Sequence, residues 1–503
     1  MKKTLSLLLA LATAAACTAC TNNGGSTSVK EEQLNAPIFE RAEDGLQFSA
    51  YAPPPPESWS GSSGNPNCIT DQNYSDLKEA GFNTIYALYE GCPIGSLKGN
   101  TAFEKIAYKS TFAEKHAIQA LELAEKYDLK YWVRDWTFYG LVRELAAMGL
   151  TEKTEYEQVI DRMFSEDNPY IYSSAYGGNF GHDEPSVEEM DKIAWQVELY
   201  QKKMQERNLP NAEIYVNLLP CYASQVHLSS TDTTVDYVDY INHYMENLAP
   251  QLGYICYDYY PLRKDTYDRT YVRGTYLYNL ELVARTCKEY EARTGQEIEL
   301  RTFLQATSDF TGIRPLVGTA DLRFQIYTEM AFGSKEFIYY TYSSEDPSED
   351  MAIFDYMKNE KTWLYEAAKT VNNEVLAMQD AYLAYKWDNV MYKDGDPMVV
   401  NQGFANLASY LEKHDRFSIE DCTQDVLVGT FKGRKNSSDE AFMVVNYSDP
   451  GRDLDNKVTI KIEGAKGIVM YRLGQRIVYP LSADGTYTLN LLPGEGRFVI
   501  PIY

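Results

Sequence analysis

The chain is short of cations and of histidine. Its 503 residues carry 47 Lys and Arg against 72 Asp and Glu, a formal net charge of −25, and only 5 His. Nucleic-acid binding needs clustered Lys and Arg to neutralise phosphates, so this balance excludes it and favours a neutral ligand. Apart from Cys17 and Cys20 near the N-terminus, the cysteines include no CxxC pair and none has a histidine at metal-ligand spacing, so no zinc site and no metal cofactor is expected. Beyond the N-terminus no run is apolar enough to cross a bilayer. Phenylalanine is sparse, 19 copies against 42 tyrosines. Tyrosine pairs a flat apolar face with a hydroxyl, which suits polar ligands as well as cores.

What is present begins with a targeting signal. Lys2 and Lys3 precede an apolar run over 5–16 that ends in small residues and then Cys17-Thr-Ala-Cys20. This resembles a bacterial lipoprotein cleavage box, with Cys20 (or Cys17) as the lipidated residue. The expectation is a signal peptide over 1–20, a polar linker over 21–45 and an exported protein held to the membrane by lipid alone. Of the remaining cysteines, Cys68 and Cys92 follow the first two strands and can form a disulfide. The others read as buried thiols.

From residue 46 short apolar runs alternate with longer amphipathic segments. Strands are expected at 47–52, 83–89, 129–135, in the stretch Tyr176-Gly-Gly-Asn-Phe-Gly-His-Asp-Glu-Pro185, and at 212–217, 252–258, 298–305 and 336–342. Eight strand-helix repeats predict a (β/α)8 barrel over 46–384. A doubly wound sheet would want a glycine-rich phosphate loop after its first strand, and here that loop is proline-rich instead. After residue 385 the pattern changes to short alternating strands with turn signals, which predicts an antiparallel β-sandwich over 385–503.

A barrel presents its chemistry at the carboxyl ends of its strands. Those ends collect Tyr89 and Glu90, Asp135 and Trp136, His182 with Asp183 and Glu184, Asn217, Asp258 with Tyr259 and Tyr260, Gln305 and Tyr340. The set holds acids, amides and aromatics, with no serine or cysteine nucleophile beside a histidine base, which disfavours triad chemistry. Two carboxyls across an aromatic groove are what glycosidic bond cleavage requires. A plainer role for Asp183 and Glu184 is to cap the next helix, where Ser186 can also serve.

The order of strand-end motifs resembles the (β/α)8 glycoside hydrolases, in particular the retaining clan of cellulases and β-galactosidases. That clan carries Asn-Glu-Pro at the end of strand four, and Asp183-Glu184-Pro185 matches two of its three residues in place. The resemblance implies Glu184 as general acid/base, with Asp258 or Asp183 assisting. It implies a carbohydrate substrate, with Trp136, Asp135, His182, Asn217, Tyr259, Tyr260, Gln305 and Tyr340 as substrate contacts. One position departs from the clan. Strand seven should end in the nucleophilic Glu, but it ends in Gln305, and an amide cannot attack. In hexosaminidase-like barrels an adjacent Asp-Glu pair works with the substrate's own acetamido group, which Asp183-Glu184 also fits. The other reading left by Gln305 is a glycan-binding lipoprotein without catalysis.

Overall fold

The computed structural model describes residues 34–57, 64–87, 114–164, 168, 170–209, 212–308, 315, 317–344, 352–396, 398 and 401–503. Eight parallel strands form one sheet: β1 (Gln47–Tyr51), β2 (Thr84–Tyr86), β3 (Lys130–Val133), β4 (Tyr176–Asp183), β5 (Glu213–Asn217), β6 (Tyr254–Tyr257), β7 (Glu299–Gln305) and β8 (Glu336–Tyr340). Their order is β5-β4-β3-β2-β1-β8-β7-β6, so last and first strands pair and the sheet curls into the expected barrel. The join between β5 and β6 is made only at the mouth. There a single parallel bridge links Leu218 to Tyr257, with Leu218 N–H bonded to the Cys256 carbonyl at 2.9 Å. Deeper in the seam a side chain replaces the ladder. The Tyr254 hydroxyl donates to the Ile214 carbonyl at 2.7 Å and accepts from Val216 N–H at 2.9 Å. Buried backbone groups that would lack partners are thereby satisfied.

Alternate residues of each strand face the lumen. At the amino-terminal end Arg301 pairs with Glu213 at 2.8 Å and Glu336 at 3.3 Å, and its guanidinium lies 3.9 Å from the Tyr254 ring. Above them comes an aromatic layer from Tyr51, Tyr86, Trp132, Phe180, Tyr215 and Phe303, with ring centroids of Tyr86 and Tyr215 only 4.4 Å apart. Part of the tyrosine excess is therefore barrel filling.

The glycine-rich stretch is β4 itself, and its glycines have a mechanical use. The register with β3 slips at Gly177 and that with β5 slips at Gly181. A Cβ on Gly177 would fall 2.4 Å from the Trp132 ring, and one on Gly181 would fall 2.2 Å from Ile214 Cγ2. Each extra residue is a bulge that re-aims the strand beyond it. After the second bulge His182 pairs with Val216 and Asp183 with Asn217. An unbroken alternation from the lumen-facing Phe180 would have turned Asp183 outward.

Helix Val187–Glu206 comes next, and its N-cap is Ser186. Ser186 Oγ accepts from Glu189 N–H, and the Glu189 carboxylate accepts from Ser186 N–H at 2.9 Å, a reciprocal capping box. Asp183 and Glu184 are thus not the capping residues. Strand β6 is followed by a hairpin, Leu262–Lys264 against Thr270–Val272, where the sequence pattern showed only a loop leading to a helix.

From Tyr385 the strands are antiparallel, in sheets of six and three. The smaller sheet packs its apolar face (Ile419, Val458, Ile460, Leu489) on Val428, Val444 and Val499 of the larger. Alternate residues of the larger sheet, among them Leu427, Phe431, Met443 and Phe498, join the core that covers the barrel's helices. Gly429 allows the close approach, since a Cβ there would lie 2.2 Å from the Ala331 carbonyl. Period-two patterning with both faces apolar marks a sheet buried on both sides. Cys68 is a free buried thiol donating to the Tyr356 carbonyl at 3.4 Å, so it forms no disulfide; Cys92 lies outside the described residues. Residues 1–33, with Cys17 and Cys20, lie outside them as well, as do Tyr89 and Glu90. No helix among the described residues is long and apolar enough to cross a membrane.

Candidate active site

Three adjacent strands deliver one polar residue each to the centre of the mouth: Asp183 from β4, Asn217 from β5, and Asp258 directly after β6. Asn217 Nδ2 donates to Asp183 Oδ1 and to Asp258 Oδ1, both at 3.1 Å. An amide nitrogen has two hydrogens, and here each has its own carboxylate. The other end of the amide is fixed from below. Cys256 Sγ donates to Asn217 Oδ1 at 3.7 Å and contacts the Tyr215 hydroxyl at the same distance.

Glu184 turns out of the strand with φ of 50°, in the left-handed region, and its N–H bonds to the Asn217 carbonyl at 2.9 Å. Its carboxyl is exposed on the wall of a cleft of about 740 Å³ that Asp183, Tyr139, Arg143, Leu219 and His227 also line. A non-glycine residue at positive φ costs roughly 1 kcal/mol or more and collects at functional positions. Here it places Glu184 on the cleft while Asp183 faces the lumen.

The electrostatics separate the three acids. Burial, followed by the charges of Glu184 and Asp183, pushes Asp258 well above the usual carboxylate range, against the pull of Asn217. Burial also raises Asp183, while Asn217 and the guanidiniums of Arg134 and Arg143 hold it back. Glu184 is raised by desolvation and then by Asp183, opposed by His227 and Arg143. Carboxyls this close disfavour one another's ionisation, and the disfavour is greatest at Asp258.

Around this centre the expected contacts divide. Tyr260 and Tyr340 belong to the mouth, with ring centroids 5.3 Å apart, and Tyr340 also packs on Tyr51 at 5.6 Å. Tyr259 takes the opposite face, its hydroxyl 2.7 Å from Thr275 Oγ1 and its ring against Tyr222 and Tyr276. His182 is buried against the rim, with Nδ1 3.2 Å from the Asp183 carbonyl. Burial and Arg143 lower it to about 4, so it is neutral at pH 7. Asp135 is buried, accepts from the Tyr170 hydroxyl, and opens helix Trp136–Tyr139 through its carbonyl. The side chain of Trp136 lies outside the described residues.

Gln305 ends β7 but is fully buried. Its Oε1 accepts from Leu262 N–H at 3.1 Å and its own N–H donates to Gln325 at 2.7 Å. The residue ties the loop after β6 to the barrel. The residues that sequence reasoning missed are basic or aromatic. Arg134 lies 4.3 Å from the Tyr139 ring and 5.4 Å from Phe180. Arg143 binds Glu189 at 2.6 Å beside Asp183. No group of three or more His, Cys, Asp or Glu among the described residues is arranged to hold a metal ion.

No family model matches the chain, and no curated protein does. Solved structures with a similar course include a β-galactosidase from Bacillus circulans sp. alkalophilus, at 8% identity and TM-score 0.49, covering 91% of this chain and 99% of that one. A GH51 arabinofuranosidase from Xanthomonas axonopodis pv. citri is similar at 9% identity and TM-score 0.42, covering 91% and 97%. A GH30 endoxylanase from Clostridium papyrosolvens C71 is similar at 9% identity and TM-score 0.39, covering 92% and 97%. Likenesses this distant leave the chemistry of this chain to be read from its own mouth.

Proposed function

We propose that the protein is a glycoside hydrolase that cleaves O-glycosidic bonds of oligo- or polysaccharides by carboxylate acid/base catalysis. The observation that carries this reading is the trio Asp183, Glu184 and Asp258 at the mouth, with Asn217 shared between the two aspartates. Glu184 is the general acid/base. Its carboxyl reaches the open cleft, and its raised pKa keeps a proton available for a leaving oxygen. Asp183, whose charge Asn217, Arg134 and Arg143 favour against the effect of burial, serves the anomeric centre, either directly or by orienting a group of the sugar. Asp258, whose proton burial favours, fixes Asn217 between the two. Tyr260 and Tyr340 supply the aromatic wall.

The test is Glu184→Gln assayed on a panel of aryl glycosides and oligosaccharides. Turnover should fall by about 10²-fold or more with an unchanged melting temperature. Undiminished turnover of a glycan that the wild type cleaves would remove Glu184 from the mechanism. Gln305 favours a second reading, a glycan-binding protein without catalysis, because strand seven contributes an amide already committed to Leu262. Oligosaccharide binding with no product released would select it.

The signal-like N-terminus supports export and lipid anchoring through Cys20 or Cys17. Mass spectrometry of the mature N-terminus should find a diacylglyceryl-modified cysteine, and an intact residue 1 would exclude the anchor.

A further inference from the structure

A second cavity, of about 590 Å³, lies where the hairpin after β6 meets the sandwich. Its walls come from both and are fixed by internal bonds. Thr270 Oγ1 donates to Asp449 at 2.8 Å across the junction. Asp425 accepts from Gly395 N–H at 2.8 Å and Asn401 Nδ2 at 2.7 Å. Three other lining side chains, Gln402, Gln424 and Arg452, make no hydrogen bond or ion pair among the described residues. Tyr447, also in the lining, is buried with its hydroxyl unpartnered. Tyr271 presents an aromatic ring that is 46% exposed.

This lining matches one ligand chemistry. Its carboxylates (Asp396, Asp425, Asp449) are nearly offset by the guanidiniums of Arg273 and Arg452, so a highly charged ligand finds no complement. Uncommitted amides and a guanidinium offer donors and acceptors for vicinal hydroxyls, and an exposed tyrosine face suits the C–H side of a sugar ring. The volume falls in the ~300–1,000 Å³ range of small-ligand sites. Arg273 links the cavity to the mouth. It lines the cavity, its N–H bonds to the Pro261 carbonyl at 2.9 Å, and its guanidinium lies 4.1 Å from the Tyr222 ring, whose hydroxyl in turn feels the charge of Asp258 at the mouth.

We propose that this cavity is a distal subsite for a neutral oligosaccharide whose other end occupies the mouth, so that the preferred substrate is a chain rather than a small glycoside. The proposal rests on the carbohydrate reading of the mouth. Its test uses full-length protein carrying Glu184→Gln and calorimetry with cello-, xylo-, manno- and galacto-oligosaccharides of graded length. Adding Tyr271→Ala with Gln402→Ala should weaken binding of the longest bound glycan by about tenfold while leaving the shortest unaffected, a loss equivalent to ~1.4 kcal/mol. Tyr267→Ala, at the 79% exposed hairpin tip, should change neither. Arg452→Gln repeats the measurement at an exposed position if the double substitution lowers the melting temperature. Equal affinities in parent and double variant, an equal loss at every length, or no binding by the parent would overturn the subsite. Failure of the hydrolase reading shows separately, as absence of product from wild-type protein on short aryl glycosides.

Discussion

Asp183 and Asp258 come from different strands, yet their Oδ1 atoms lie equally far, 3.1 Å, from a single nitrogen of Asn217. Two carboxyls that would repel each other are thereby held at a fixed separation by a neutral donor. The thiol of Cys256 sets which end of that donor faces them.

Asn217→Ala removes the shared amide. Its hydrogen bonds lower the pKa of both aspartates, so their loss raises both. The acid limb of the kcat/KM profile, which reports ionisation of Asp183, should move to higher pH. Turnover should fall by about 10²–10³-fold, the range for losing one preorganised donor. A pH-rate profile of the variant against wild type checks both, and a stationary limb would leave Asn217 a purely structural role.

Gly181→Ala tests the bulge that turns Asp183 inward. The added Cβ would meet Ile214 Cγ2 at 2.2 Å and the Tyr215 carbonyl at 3.1 Å. A β-branched side chain and a strand backbone have little room to yield, so a stability loss of about 1–3 kcal/mol is expected. Denaturant titration measures that loss. Activity assayed where the variant remains fully folded should still be reduced, because strand direction beyond residue 181 changes.

Glu329 gives a pH signature of the fold itself. It is fully buried beneath the hydroxyls of Tyr276 and Thr302, and burial raises its pKa from 4.5 to about 8. A raised carboxyl contributes its full stability below about pH 4.5, and that contribution is lost as pH rises through about 8. Glu329→Gln should therefore melt higher than wild type at pH 9 and show a flatter melting curve against pH between 5 and 9. Parallel wild-type and variant curves across that range would contradict the assignment.

The barrel and the sandwich were legible because hydrophobic period and strand spacing are local properties of the sequence. The strand ends at Asp183, Asn217, Asp258 and Gln305 could be found by counting. Side-chain direction was less accessible. Plain alternation would have separated Tyr259 from Asp258 and Tyr260, as the structure does. For β4, however, alternation gives the wrong answer, because the bulges at Gly177 and Gly181 reverse the face of the residues after them. The glycines were visible, but the neighbours that require them, Trp132 and Ile214, are distant in sequence. Gln305 looked like a vacated nucleophile position. Its bond to Leu262 depends on a hairpin whose short strands gave no clear period. Arg134 and Arg143 carried no motif at all, and only the fold brings them to Asp183.

The seam between β5 and β6 has a consequence for how the molecule fails. Its only ladder contact is at Leu218 and Tyr257, next to the Asn217–Asp258 bond. The clasp that completes the ring is thus built from the same residues as the reactive centre. Charging Asp258 places an unwanted anion at that clasp, so a rise in pH loosens the circle where it is held by least. A glycan lying across the mouth would act in the opposite sense, as a splint.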